Sequence, residues 1–350
     1  MLNVLFDSAL AAGLFALLYW GARNLPAERW QMIAAIPLRK APDGSWQGLN
    51  FTYYGFFSAT GTVFGLLMTF LLLASIGTPG WVSVAIALFL LCVCVPASRA
   101  IAWLVERKRG TFTVAGASLV ASLVLPWLVL ELPHLDGGAR SSLNAPLAIF
   151  AALAIGYNFG ESLGRLACLS FGCCYGSPLR DTSPWLARLF QRHNVVIRGA
   201  TKKASYASGL AGEPLVPVQV LTSAILAVSG VVSTALFLGG KFRAAALIPV
   251  VAGWGWRFVS EWLRADYRGR SRVSAYQWMA VFSIAYLGVM IAWVLPASEV
   301  VPDLAAALGQ LASTPVLLGT QCAWILLFLY YGKSRVTAST LSFHVVEDRI

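Results

Sequence analysis

The chain has 350 residues, 58% of them hydrophobic and only 12% charged, with a formal net charge of +11. A soluble globular chain carries about a quarter charged residues, so this composition excludes a soluble domain and puts most of the chain in lipid. The basic balance argues against nucleic acid, because Lys and Arg fall in loops and near the ends of apolar runs, where anionic lipid head groups are the natural counterpart.

A membrane-spanning helix needs about 20 apolar residues. In chain order the apolar runs predict nine spans, at 4–21, 54–76, 80–104, 112–132, 146–170, 217–239, 243–263, 274–296 and 314–332. The expected fold is all-α, a polytopic membrane bundle. The first run contains Asp7 and lacks a basic leader and a small-residue cleavage site, so it reads as a retained helix and not a signal peptide. Two connections are long. Residues 23–52 mix turn formers and charges, and residues 177–215 are basic and partly aromatic. Within the second, PWLARLF predicts a short interfacial helix with Trp185, Leu186, Leu189 and Phe190 on one side.

Charges inside spans are functional candidates by default, because lipid makes them costly. The fifth span carries Asn158, Glu161 and Arg165, at spacings of three and four that predict a shared helix face. The seventh ends in GWGWRFVSEWLRADYRG, where Arg257, Glu261 and Arg264 follow the same rule. Arginine suits phosphate because its planar fork donates two parallel hydrogen bonds. Set against this are an internally neutralised Glu–Arg pair on the fifth span, and snorkelling arginines within an aromatic belt of Trp254, Trp256 and Trp262 on the seventh. Two arginines from different helices, each beside a glutamate, point to a site for an anionic lipid head group.

GRLACLSFGCCYGSP, residues 164–178, joins Arg165 to the adjacent cysteines Cys173 and Cys174. Gly164, Gly172 and Gly176 permit close backbone approach and a sharp exit from the helix. The cysteines lack a CxxC spacing and a neighbouring histidine, which argues against zinc. Cys92, Cys94 and Cys322 lie in apolar runs and read as packing residues. No metal or cofactor is expected.

These residues resemble the bacterial prolipoprotein diacylglyceryl transferases, multi-pass enzymes that move the diacylglyceryl group of phosphatidylglycerol onto a lipoprotein cysteine and release glycerol phosphate. The family's Gly-Arg-Ile-Gly-Asn-Phe-x-Asn-x-Glu-x-Tyr-Gly is similar to GRLACLSFGCCYG, which keeps Gly164, Arg165, Gly172, Tyr175 and Gly176. FTYYGFF resembles the family's Trp-Tyr-Gly through Tyr54 and Gly55, and VPVQVLTSA its Pro-Ser-Gln-Leu-Tyr-Glu-Ala through Pro217 and Gln219. WGWRFVSEWLR resembles Tyr-Gly-x-x-Arg-Phe-x-x-Glu-x-x-Arg through Arg257, Glu261 and Arg264, and SAYQWMA resembles the Gly-Gln-x-x-Ser of the last helix. The family's His-Gly-Gly turn, which would deprotonate the acceptor thiol, is Ala115-Gly116-Ala117 here. The signature's asparagines are Cys168 and Phe171, its glutamate is Cys173, its Tyr-Glu is Leu221-Thr222, and the tyrosine before the second arginine is Gly253.

The resemblance spans about 54–296 and implies a seven-helix core at 53–297, with an extra helix and loop at 1–52 and an extra helix and tail at 298–350. It implies a multi-pass protein of the bacterial inner membrane, with phosphatidylglycerol as donor and a lipoprotein precursor as one acceptor. Arg165 and Arg257 would stabilise the phosphate leaving group. Glu261 or Glu161 would serve as base, and Cys173 or Cys174 as nucleophile. Tyr54, Tyr175, Gln219, Arg264, Asn158 and the three glycines would line the substrate site. Two other readings stand beside it: a non-catalytic phospholipid binder or transporter, and a thiol-redox protein. The positive-inside rule places 106–109, 177–215 and 264–272 in the cytoplasm, whereas the resemblance places that side outward.

Overall fold

The computed structural model describes residues 1–42, 44, 46–106, 113–135, 143, 145–265, 273–334, 340–341 and 347–349. Of the basic runs that bear on orientation, 107–109 and 266–272 lie outside the described residues. The chain is helical, as the apolar runs require: α1 (Leu2–Asn24), α2 (Tyr53–Ser75), α3 (Gly80–Glu106), α4 (Val114–Leu135), α5 (Pro146–Phe171), α6 (Pro184–Phe190), α7 (Lys203–Ser208), α8 (Val218–Leu238), α9 (Phe242–Ser260), α10 (Ala275–Val289), α11 (Leu304–Leu311) and α12 (Thr314–Gly332). Eight are long and apolar enough to cross a membrane: α1 to α5, α8, α10 with its continuation to Val294, and α12. The ninth expected span, α9, is a full helix but falls outside that set; it carries Arg243 and Arg257.

α5 is the axis of the bundle, with most of its residues buried. It packs antiparallel to α2 through glycines on both helices. A Cβ on Gly61 would stand 2.8 Å from the Gly160 oxygen, and one on Gly65 would stand 2.6 Å from the Gly156 oxygen. Lipid tails are as apolar as leucine, so helices in a bilayer associate by such close packing and by hydrogen bonds, not by hydrophobic burial. The hydrogen bonds come on other faces. Asn158 Nδ2 donates to Ser229 Oγ of α8 at 2.8 Å and to the Pro249 carbonyl of α9 at 3.2 Å. Ser162 Oγ donates to the Ser223 carbonyl at 2.8 Å, and Ser223 Oγ returns a bond to the Ser162 carbonyl at 2.6 Å.

The connection before α2, expected to be a loop, holds an antiparallel hairpin of β1 (Met32–Lys40) and β2 (Trp46–Thr52). Short strands Lys333–Ser334 and Thr340–Leu341 add to β2, so the segments preceding and following the resembling core share one sheet. α12 lies on α2, where Trp324 Nε1 donates to Thr60 Oγ1 at 3.1 Å. The 177–215 connection folds back on the same end of the bundle. Lys202 is fully buried and its Nζ donates to the Leu25 and Ser170 carbonyls at 2.8 and 2.9 Å, while Thr201 and Gln31 exchange hydrogen bonds. α6 forms at PWLARLF as expected, with Trp185 and Leu189 exposed.

Two outcomes are expected. Gly65→Leu should disrupt the α2–α5 contact and lower the thermal midpoint in detergent, whereas Gly255→Leu, where an added Cβ has no neighbour within 4 Å, should change it little. Burial lowers the Lys202 amine from its ordinary value of 10.5 to about 8, against the opposing pull of Glu28. The unfolded chain therefore binds more protons between those values, and stability should rise with pH across that window. Thermal melts of Lys202→Met should lack that rise.

Candidate functional site

The site grows from one face of α5. Tyr157, Glu161 and Arg165 recur at a spacing of four, which stacks them one turn apart, and α9 runs parallel to α5 and delivers Arg257. Glu161 accepts hydrogen bonds from both arginines. Arg165 Nη2 pairs with Glu161 Oε1, and Arg257 Nη2 reaches Oε1 and Oε2 at 2.9 Å each. Tyr157 Oη donates to Glu161 Oε2 at 2.5 Å, meets Ser118 Oγ of α4 at 2.6 Å, and accepts from Arg257 Nη2 at 3.1 Å. Side-chain exposure is 8% for Glu161, 13% for Arg165 and 14% for Arg257, so two guanidiniums share one carboxylate almost out of water. Arg165 Nε is buried without a hydrogen-bond partner among the described residues. The face thus holds a surplus positive charge and an unused donor.

This arrangement departs from the spacing argument in three respects. Asn158 does not join the charges; it ties α5 to α8 and α9, and only its edge reaches the cleft below. The row Arg257–Glu261–Arg264 is not one helix face, because α9 ends at Ser260, Glu261–Leu263 forms a 3₁₀ turn and Arg264 is extended. Glu261 instead accepts from Ser274 Oγ at 3.0 Å, and Ser274 and Gln277 form a capping box at the start of α10. The tryptophans do not form a common belt either. Trp254 is buried with Arg257 5.4 Å from its ring centre, Trp256 Nε1 donates to Thr222 Oγ1 at 2.7 Å, and only Trp262 is exposed.

A cleft of about 140 Å³ opens beside the charged face between α3, α4, α5, α9 and α10. Its walls are apolar, with Leu90, Leu125, Phe150, Leu153 and Leu287 among them, and Ser118, Tyr157 and Arg257 give it a polar end. Ala115, at the position of the family's histidine, is buried one turn before Ser118.

A second cluster sits at the end of α5. The carbonyl of Cys168 accepts from the backbone of Gly172 and Cys173, at 2.8 and 3.1 Å. Gly172 (φ 72°) and Cys174 (φ 55°) both adopt the left-handed conformation that folds the turn back over the helix. The Sγ atoms of Cys168, Cys173 and Cys174 all lie within 4.8 Å of one another. Several residues expected at the substrate site surround this turn. Gln219 Nε2 donates to the Cys173 carbonyl at 2.9 Å, the Tyr54 ring meets Phe171 at 5.6 Å, and Tyr175 Oη meets Ser208 Oγ at 2.6 Å. Arg264 pairs with Gly176 through the backbone, where a Cβ on Gly176 would strike the Val216 oxygen. A Cβ on Gly164 would meet nothing within 4 Å, so no close approach requires that glycine. Hydrogen bonds with the Cys168 and Cys173 thiols, helped by the charges of Arg264 and Arg165, hold the Cys174 thiol well below its ordinary range. Hydrogen bonds with Cys168 and Cys174 push the Cys173 thiol up, so between the adjacent pair Cys174 is the better thiolate.

Sequence reasoning missed Tyr157, Ser118 and Cys168. The spacing of four between Tyr157, Glu161 and Arg165 was a usable signal; the reach from α4 and the folding back of the CCYG turn were not visible in the chain. No protein-family model matches the chain, and no curated protein matches it either.

Glu161→Gln leaves two guanidiniums with a neutral partner. Breaking a buried pair in this way costs about 3 kcal/mol, read as a lower thermal midpoint in detergent. Adding Arg257→Gln should restore part of the loss, since partners in one network are not additive.

Proposed function

We propose that the chain binds an anionic phospholipid within the membrane. The head group lies at Arg257 and Arg165, and an acyl chain fills the cleft. The observation that carries this reading is an apolar cleft lined at its polar end by Arg257, one of two guanidiniums that share the Glu161 carboxylate behind it. Arg165 Nε offers a buried donor that a phosphate oxygen would satisfy. Phosphatidylglycerol is the donor lipid suggested by the resemblance of GRLACLSFGCCYG and WGWRFVSEWLR.

A second reading, transfer of the diacylglyceryl group, draws on the chain of contacts Ser118–Tyr157–Glu161. In that reaction the glycerol C–O bond to phosphate breaks and an acceptor thiol forms a C–S bond. The arginines hold the departing glycerol phosphate, and the thiol proton leaves through the tyrosine toward Glu161. The acceptor would be a lipoprotein cysteine, as the resemblance implies. Both arginines already occupy the Glu161 oxygens, which favours binding over transfer.

The test uses the full chain in vesicles with phosphatidylglycerol labelled in its head group. Saturable binding above phosphatidylcholine is expected. Arg257→Ala should weaken it about 10- to 100-fold, the scale of a lost hydrogen bond to a charged group. Release of labelled glycerol phosphate that depends on Arg165 and Arg257 would support transfer. Equal binding of the two lipids would overturn the proposal.

A further inference from the structure

The three-thiol cluster is not part of the cleft, and no step of lipid binding uses it. We propose that Cys168, Cys173 and Cys174 form a tris-thiolate site for a soft d¹⁰ cation, with Cu(I) as the best-fitting ion. Three observations converge on it.

The first is geometric. Three Sγ atoms within 4.8 Å of one another surround a common centre. With metal–sulfur bonds of about 2.3 Å, a trigonal planar site needs sulfurs about 4.0 Å apart, so a small inward rotation of the thiols suffices. The second is the backbone. Cys174 is the only non-glycine residue with positive φ among the described residues. A cysteine in the left-handed region carries strain that glycine or asparagine would relieve. That strain brings its thiol to Cys168 and Cys173, and Gln219 holds the turn from below by its bond to the Cys173 carbonyl.

The third is charge. Three thiolates around one Cu(I) leave a site of charge −2. Arg165, one turn before Cys168 on α5, and Arg264, whose backbone pairs with Gly176 just after Cys174, bring positive charge to this turn. Arg257 meets both oxygens of Glu161, so the shared carboxylate does not consume the charge of Arg165 alone. Thiolate donors select soft ions. Among the described residues no histidine or carboxylate joins the cluster, so Zn(II), which takes four ligands, would need water or a substrate in the fourth position. The absence of a CxxC spacing misses this site because the third ligand lies a helical turn back and comes into range only when the chain reverses at Gly172.

The experiment uses the reduced full chain in detergent, titrated with Cu(I) against a chromophoric competitor and, separately, with Zn(II). One equivalent of Cu(I) should bind, with X-ray absorption reporting three sulfurs. Cys92→Ser/Cys94→Ser/Cys322→Ser should retain it, and Cys168→Ser should lose it. If Cys168→Ser fails to fold, wild-type protein supplies the answer: Cu(I) should shield Cys168, Cys173 and Cys174 together from alkylation, as read by peptide mass. One equivalent of Zn(II) on the same three sulfurs, with no Cu(I), would support the thiolate site and assign it to zinc. Binding that survives Cys168→Ser, or no shielding by either ion, would overturn the proposal.

Discussion

The approach of α2 to α5 is the constraint on which the rest of the structure depends. Gly61 and Gly65 face Gly156 and Gly160 so closely that no Cβ fits between three of them and the opposing backbone. In a bilayer this contact is favourable because backbones that touch gain dispersion and exclude lipid, with no hydrophobic effect to help. It makes α5 the bundle's central helix. Its other faces are then free to carry polar groups inward: Asn158 and Ser162 toward α8 and α9, Tyr157 and Glu161 toward α4 and α9, and Cys168 toward the turn that follows.

Every charge so placed must be answered locally, because lipid supplies no water to do it. Glu161 answers two arginines from two helices, and Tyr157 shares in both interactions. The result is a rigid polar seam against an apolar cleft. An amphipathic anion suits such a place: its tail finds apolar walls and its head finds positive charge. At the end of α5 the same helix presents a different chemistry, three thiols beside arginine. Arg165, three residues before Cys168 on the same helix, pairs with Glu161, so the ion-pair network and the thiol cluster are neighbours along α5.

The end of the bundle that holds these features is built from segments distant in sequence. Lys202 reaches the carbonyls that end α1 and α5, Ser170 Oγ bonds to the Trp30 carbonyl at 2.5 Å, and the backbone of Arg198 bonds to Pro26 at 3.0 Å. These contacts fasten the long basic connection over the last turn of α5. In the same connection α6 leaves Trp185 and Leu189 exposed.

The sequence alone determined the helical class and nearly every span, because span length and apolar content are local properties set by bilayer thickness. It also marked Glu161, Arg165 and Arg257 as the charges that matter, since a charge in a span is rare enough to be conspicuous. The tertiary structure alone decided the partners. Helical spacing joined Arg257 to Glu261, yet α9 stops at Ser260 and Arg257 crosses to Glu161 on another helix. The connection 23–52 reads as a loop because its strands are short of hydrophobic alternation and gain their pairing partly from residues 333–341. Cys168 stood out only as the residue at the signature's first asparagine, and the turn at Gly172 set its sulfur beside two others. Each of these outcomes rests on contacts between residues far apart in the chain or on a reversal of its direction, and periodicity along one helix carries no information about either.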